Sequence, residues 1–125
     1  MSQPCLSQKL RTPSDSIRYY IKLFKVENPE IAFYMFAQES GYGTSNLARN
    51  HNNYFGSKMP KSRTTTAIGQ TKGGWARYGS MRASVLDFRI YEILYLSGKS
   101  KSQIIKYLRE VYSKDENYLY KFLGY

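Results

Sequence analysis

Apolar residues recur three and four positions apart along most of the chain, and this spacing predicts a mainly helical protein. A first helix is predicted to begin at Thr12-Pro13. Its buried stripe is predicted to comprise Ile17, Tyr20, Ile21 and Phe24. A second helix is predicted from Pro29 to about Ser40, with Asn28 as its N-cap, because asparagine suits the cap and proline the first helical position.

Further helices are predicted downstream by the same spacing and by capping residues. A short one is capped by Thr44 or Ser45, and a longer one begins after Ser80 and ends at Gly98. The longer helix is expected to bury Val85, Leu86, Ile90, Ile93 and Leu94. The next is expected to bury Ile104, Ile105, Leu108 and Val111. A last helix is predicted from Asp115, burying Tyr118, Leu119 and Phe122.

Helical spacing disappears between His51 and Gly79, where glycines punctuate the chain. There the runs TTTAI and WARY, separated by GQTKGG, predict a small β-hairpin. The predicted fold class is therefore α+β, mainly α, with a helical lobe and a small β-hairpin lobe (about residues 57–79) flanking a cleft. We expect residues 1–11 to form a polar tail and residues 12–125 to form one domain.

Composition narrows the chemistry. Cys5 is the only cysteine, which excludes an intrachain disulfide and a thiolate metal cluster, and no apolar run is long enough to span a membrane. The first residues also lack the apolar core of a secretory signal, so we expect export by another route or a leader outside this sequence. The net charge is +10, and no acidic residue lies between Glu39 and Asp87. A surface built from this stretch should attract polyanions: nucleic acid, phospholipid or anionic wall polymers.

Glu39 is the strongest candidate for chemistry. It ends the apolar second helix, just before a Gly-Tyr-Gly turn, and shares a helix face with Met35 and Phe36. Burial against apolar side chains and the negative end of the helix dipole would both raise the pKa of this carboxyl. A general acid that works near neutral pH needs such a shift. The alternative is a solvated glutamate in the last turn of an ordinary helix.

Four segments, in this order, resemble the glucosaminidase domains of glycoside hydrolase family 73 over roughly residues 28–123. They are AQESGYGTSNLA, NNYFGSK, WARYGSMRASVLDF and VYSKDENYLYKFL. The segment MPKSRTTTAIG resembles a compact hairpin version found among bacterial and phage members. The resemblance implies a lysozyme-like fold and an endo-β-N-acetylglucosaminidase that cuts bacterial peptidoglycan.

The resemblance also implies roles for individual residues. Glu39 matches the catalytic acid, and Tyr78 matches a tyrosine that lines the cleft opposite it. The turn after the acid is matched by Ser40, Tyr42 and Thr44, and the floor of the cleft by Asn53 and Phe55. For Asn53 a turn role, and for Phe55 a core role, are the alternatives. Trp75 either stacks on a sugar or plugs the hairpin against the helical lobe.

A second carboxylate, which glycosidases generally need, is absent from residues 40–86. Asp87 is expected to be a helix or packing residue. Two routes remain open: attack by the 2-acetamido group of the substrate, or a water positioned by Tyr78, Thr65, Thr66 or Gln70.

The implied partners are peptidoglycan glycan strands and anionic wall polymers, with action at the bacterial cell wall by a secreted, periplasmic or phage-delivered protein. No cofactor, metal or dedicated nucleic-acid partner is expected, and we expect a monomer. His51, the only histidine, is interpreted as a loop residue. The alternative functions are a lytic transglycosylase or muramidase on the same fold, and a non-catalytic wall-binding or nucleic-acid-binding module.

Overall fold

The structure is a computed structural model that describes residues 12–112 and 118–119. In chain order these residues form helices α1 (Pro13–Leu23), α2 (Pro29–Ser40) and α3 (Asn46–His51), strands β1 (Gly69–Gln70) and β2 (Ala76–Arg77), helix α4 (Met81–Tyr91), a π-helical segment (Glu92–Leu96) and helix α5 (Lys101–Tyr112). The predicted fold class, mainly helical with a small antiparallel hairpin, is confirmed. None of the helices in the described ranges is long and apolar enough to cross a bilayer.

Side-chain caps begin three of the helices as the sequence predicts. The backbone N–H of Asp15 donates to the Thr12 hydroxyl, that of Ala48 to Ser45, and that of Ala83 to Ser80. Each bond satisfies an amide that has no partner within its own helix. Of the two candidate caps for α3, Ser45 is therefore the one used. The predicted tail and most of the predicted last helix lie outside the described residues; within that helix, Tyr118 and Leu119 are buried.

Asn28 is the N-cap residue of α2 as predicted, but its side chain makes no capping hydrogen bond within the described residues. The fully buried carboxylate of Glu92 binds the segment just before the helix, accepting from the backbone N–H groups of Glu27 and Asn28 at 3.0–3.3 Å. Arg89 pairs with Glu92 at 2.9 Å and donates to the Phe24 carbonyl oxygen. A distant part of the chain thus ties the α1–α2 connection to the end of α4.

The prediction of which residues are buried is wrong after Tyr91, where α4 ends and the π-helical segment begins. A π-helix bonds each residue to the fifth one along, which rotates the later side chains relative to an α-helix. Glu92 and Leu96 are consequently buried, whereas Ile93 and Leu94, predicted to be core, are 50% and 54% exposed. Val111 near the end of α5 is also exposed, so that stripe is shorter than predicted.

The core is formed by apolar side chains from α1, α2, α4 and α5 together with the loop after α3. Its largest fully buried apolar members are Ile17, Ile31, Met35, Phe36, Phe55, Val85, Ile105, Leu108 and Leu119. Phe55, from the loop, stacks on Phe88 of α4 with ring centroids 4.6 Å apart. This contact fixes the start of the hairpin lobe to the helical lobe.

The hairpin is shorter than predicted and is flanked by a third chain segment. Gly69 pairs with Arg77 and Gln70 with Ala76, so the run TTTAI lies before the paired strand. Residues 57–59 run along the other side of β2, where Lys58 forms an isolated bridge with Trp75. The backbone N–H of Met59 donates to Gly74, and that of Ala76 to Ser57.

Candidate active site

Glu39 lines a cleft with a volume of about 480 Å³. One side is formed by residues 56–63 and Trp75, and the other by Tyr91, Tyr95, Val111 and Tyr112. Of the described residues that line the cleft, Glu39 is the one that carries a carboxylate. A larger depression of about 730 Å³ lies between α1 and α2, but its carboxylate, Glu30, is exposed and lacks the burial that a general acid needs.

The Glu39 carboxyl is half-buried at the end of α2, whose residues Met35 and Phe36 are fully buried on the same face. Burial raises the pKa of Glu39, because the charged form loses its solvation. The Tyr118 hydroxyl is buried and has no partner at regular hydrogen-bond geometry among the described residues, yet it interacts with Glu39 and lowers the pKa of that carboxyl. Burial is the larger effect, so the net pKa shift is upward.

Gly56 packs directly against this carboxyl. A Cβ atom built on Gly56 would lie 2.5 Å from Oε1 of Glu39 and 3.2 Å from its Cδ. The backbone of Gly56 also has a φ of +63°, in the left-handed region that favours glycine. The position therefore requires glycine both for its backbone and for the space that the carboxyl occupies.

Asn53 and Phe55 hold the turn that carries Gly56. The buried Asn53 amide donates to the carbonyl oxygens of Ser57 and Ala76 at 2.8 and 2.9 Å, and its Oδ1 accepts from the Ser57 N–H. Phe55 is fully buried. Both side chains were predicted to form the floor of the cleft, but neither lines it, and their contacts are those of the alternative roles in a turn and in the core.

Tyr78 lies in the interior and not on the cleft wall opposite Glu39, where it was predicted. Its hydroxyl donates to Asp87 at 2.5 Å. Asp87, fully buried in α4, also accepts from both terminal nitrogens of Arg63 at 2.7 and 3.1 Å and from the Thr65 hydroxyl at 2.8 Å. Burial alone would raise the pKa of Asp87. The hydrogen bonds from Arg63, Tyr78 and Thr65 lower the pKa by more than burial raises it, so the net shift is downward. This environment agrees with a packing role for Asp87.

The other side chains predicted to position a water have partners elsewhere. The Thr65 hydroxyl bonds to Asp87, and the Thr66 hydroxyl donates to the Ala83 carbonyl oxygen at 2.5 Å. Gln70 is exposed on β1 and does not line the cleft. In this structure neither they nor Tyr78 face Glu39.

Ser40 and Tyr42 shape the turn after the acid and do not line the cleft. The buried Ser40 hydroxyl donates to the Phe36 carbonyl oxygen at 2.6 Å and accepts from the Gly43 N–H at 2.9 Å. Tyr42 is exposed, and its ring centroid lies 6.4 Å from that of Phe36. Thr44 closes the same turn by donating to the Gly41 carbonyl oxygen.

Trp75 is the predicted binding residue, besides Glu39, that the structure places in the cleft, where its side chain is 37% exposed. Several residues that line the cleft were not predicted from the sequence: Ser57, Lys58, Lys61, Arg63, Tyr91, Tyr95 and Tyr112. The spacing of Tyr91 and Tyr95, four residues apart, was the available signal for a shared face. Burial, with a contribution from Glu39, raises the pKa of Tyr112 to about 12.

Among the described residues, no group of three His, Cys, Asp or Glu side chains could hold a metal ion.

Comparison with known proteins agrees with the fold. At 53% identity over 51 residues, the chain matches Protein bax of Escherichia coli (strain K12); the match covers 41% of this chain and 18% of that protein. The structure resembles that of a type VI secretion system effector–immunity complex from Pseudomonas protegens (TM-score 0.68, 19% identity), covering 90% of this chain and 84% of that one. It also resembles the catalytic domain of the autolysin Auto from Listeria monocytogenes (TM-score 0.54, 20% identity), covering 99% and 84% of the two chains.

These structural likenesses confirm the lysozyme-like fold. A family model described as mannosyl-glycoprotein endo-β-N-acetylglucosaminidase matches residues 14–124, which is nearly the whole chain. The chain therefore belongs to the Glucosaminidase family, glycoside hydrolase family 73.

Proposed function

We propose that this glycoside hydrolase cleaves the β-1,4 bond after N-acetylglucosamine in bacterial peptidoglycan, with Glu39 as the general acid. The observation that carries the proposal is a half-buried carboxyl with a raised pKa, located in a cleft whose described lining holds no other carboxylate. Burial keeps such a carboxyl protonated to a higher pH than an exposed glutamate. Its proton can be given to the glycosidic oxygen as the bond to the anomeric carbon breaks.

The surroundings of Glu39 favour a reaction in which the substrate itself supplies the nucleophile. The candidates for positioning a water are bonded inside the protein or lie away from the cleft. The 2-acetamido oxygen would attack the anomeric carbon as the leaving oxygen takes the proton from Glu39. Water would then displace the acetamido oxygen from that carbon and give a proton to the Glu39 carboxylate, so that the acetamido group and the enzyme are both regenerated.

The remaining cleft residues suit a sugar chain. Trp75 on one wall and Tyr95 on the other are both partly exposed, which gives apolar faces on which pyranose rings could stack. The proposed partners are thus glycan strands and, through the basic surface, anionic wall polymers, and the proposed place of action is the bacterial cell wall.

Product analysis tests this proposal. Purified wall digested by the protein should release free N-acetylglucosamine reducing ends, and Glu39→Gln should reduce the rate by about 10²-fold or more, since the general acid is lost. Glu110→Gln, a change at an exposed position of α5, is the matched control and should keep full activity. Undiminished wall cleavage by Glu39→Gln would refute the proposed role of the acid.

A lytic transglycosylase on the same fold is the second candidate, because a cleft whose described lining has a single carboxylate also suits it. In that reaction the 6-hydroxyl of N-acetylmuramic acid replaces water, and the product has a 1,6-anhydro end. Mass spectrometry of the same digest separates the two reactions. Retention of wall binding by Glu39→Gln together with no cleavage by the wild-type protein would favour a non-catalytic binding module.

A further inference from the structure

Two lysines on one wall of the cleft have no acidic partner among the residues that the structure describes. Lys58 and Lys61 both line the cleft, and both are exposed. Across the described residues, neither ammonium group takes part in an ion pair. Arg63, the third cation of this wall, differs because its guanidinium is bound to both oxygens of Asp87. The charge available to a ligand therefore comes from the two lysines.

The backbone that carries these lysines is fixed at both ends. At Lys58 it pairs with Trp75, and the next residue, Met59, donates its N–H to Gly74. After Lys61 it is held by the Arg63–Asp87 ion pair. Lys58 also places its ammonium 5.6 Å from the centre of the Trp75 ring, close enough for a cation–π contact. The two charges thus lie over the cleft on an ordered wall.

The ligand that fits this wall is anionic. In the described lining of the cleft, one carboxyl, that of Glu39, stands against the two lysines, so basic groups outnumber acidic ones even when Glu39 is charged. N-Acetylglucosamine is neutral, and the carboxyl of N-acetylmuramic acid becomes an amide when a peptide is attached to it. In a peptide-substituted glycan the negative charges are therefore the free carboxylates of the peptide.

On the basis of the proposed function, we infer that the cleft selects glycan strands whose peptide substituents carry free carboxylates, and that Lys58 and Lys61 determine this specificity. Each exposed ion pair should change the KM by about two- to fivefold at low salt. The two lysines together should lower the KM about tenfold. Screening should reduce this effect as the ionic strength rises.

The test uses soluble glycan–peptide strands and the same strands after conversion of their peptide carboxylates to neutral amides. Reducing ends are measured against substrate concentration for the wild type, for Lys58→Gln/Lys61→Gln and for Lys72→Gln/Lys106→Gln. The last variant removes equal charge at exposed positions outside the cleft, so it controls for net charge. The wild type and the control should show a KM about tenfold lower on the free carboxylates, whereas the cleft variant should lose this preference with kcat nearly unchanged.

Equal cleavage of both substrates by the wild type would overturn this inference while leaving the proposed function intact. It would also be overturned if the control variant lost the preference as fully as the cleft variant, since the effect would then be one of net charge. Failure of the wild type to cleave either substrate would instead overturn the proposed function, and this inference with it.

Discussion

The α-carbon of Gly56 lies so close to the Glu39 carboxyl that a Cβ atom at position 56 would be 2.5 Å from Oε1. The place of the proposed acid thus depends on a residue without a side chain, 17 positions further along the chain. Asn53 maintains this arrangement by bonding to both backbone groups of Ser57, which closes the turn around Gly56.

Gly56→Ala should reduce activity by about 10²-fold, because a displacement of the reacting carboxyl by about 1 Å has an effect of that size. Gly74→Ala is the matched control: Gly74 has a φ of +86°, but no atom lies within 4 Å of a Cβ built there. Both variants should lose about 1–2 kcal/mol of stability from backbone strain. Equal activity of the two variants would contradict the proposed contact with Glu39.

The raised pKa of Glu39 predicts a pH-dependent rate. The acid must be protonated, so kcat should fall as the pH rises through a pKa above the ordinary 4.5. The stabilising contribution of Glu39 should depend on pH in the same direction as kcat. It is fully present below pH 4.5 and is lost as the pH rises through the folded-state pKa. Glu39→Gln should therefore raise the melting temperature relative to the wild type more at pH 7 than at pH 4. A larger gain at pH 4 would show that the shift has the opposite direction.

Trp75→Ala should weaken substrate binding. Truncation of an aromatic residue at a binding hot spot removes about 1 kcal/mol or more, which corresponds to a KM about fivefold higher. Ile68→Ala, at an exposed apolar position next to β1 that does not line the cleft, is the comparison and should leave the KM unchanged. If Trp75 only plugs the hairpin, its removal should instead lower the melting temperature without a selective change in KM.

Asp87→Asn should destabilise the protein by about 3 kcal/mol, because it leaves the mostly buried Arg63 guanidinium without its counter-charge. The lowered pKa of Asp87 also makes its effect depend on pH. Its contribution to the free energy of unfolding is present above pH 3.8, the ordinary pKa, and is lost as the pH falls through the lower folded-state pKa. Urea unfolding at pH 7, with the exposed Asp15→Asn as control, measures the loss. A loss no larger than that of the control would show that the Arg63–Asp87 pair does not stabilise the cleft wall.

Glu92→Gln should lower the free energy of unfolding by about 2–3 kcal/mol. The amide lacks the charge that pairs with Arg89, and its NH₂ group cannot accept from the N–H groups of Glu27 and Asn28. Glu110→Gln removes an equal charge from an exposed site and should be nearly neutral. Thermal unfolding of both variants tests the difference. Similar melting temperatures would mean that the start of α2 does not depend on Glu92.

The sequence alone determined the helices and the candidate acid, since both depend on neighbours a few residues apart. Pro29 and Gly41 mark the ends of α2 through local backbone preferences, and they were located correctly. Ser80 caps α4 as predicted for the same reason. Glu39 could be identified because its helical spacing from Met35 and Phe36 predicts a partly buried carboxyl.

Only the tertiary structure decided which side chains surround that acid. The Tyr78–Asp87 and Arg63–Asp87 bonds join different elements, and Glu92 reaches an amide 65 residues away. The π-helical segment turns Glu92 inward and Ile93 outward, although the local pattern favours the reverse. Spacing along the chain predicts which residues share a face, but the partner that each polar group finds when water is excluded depends on the packing of the whole fold.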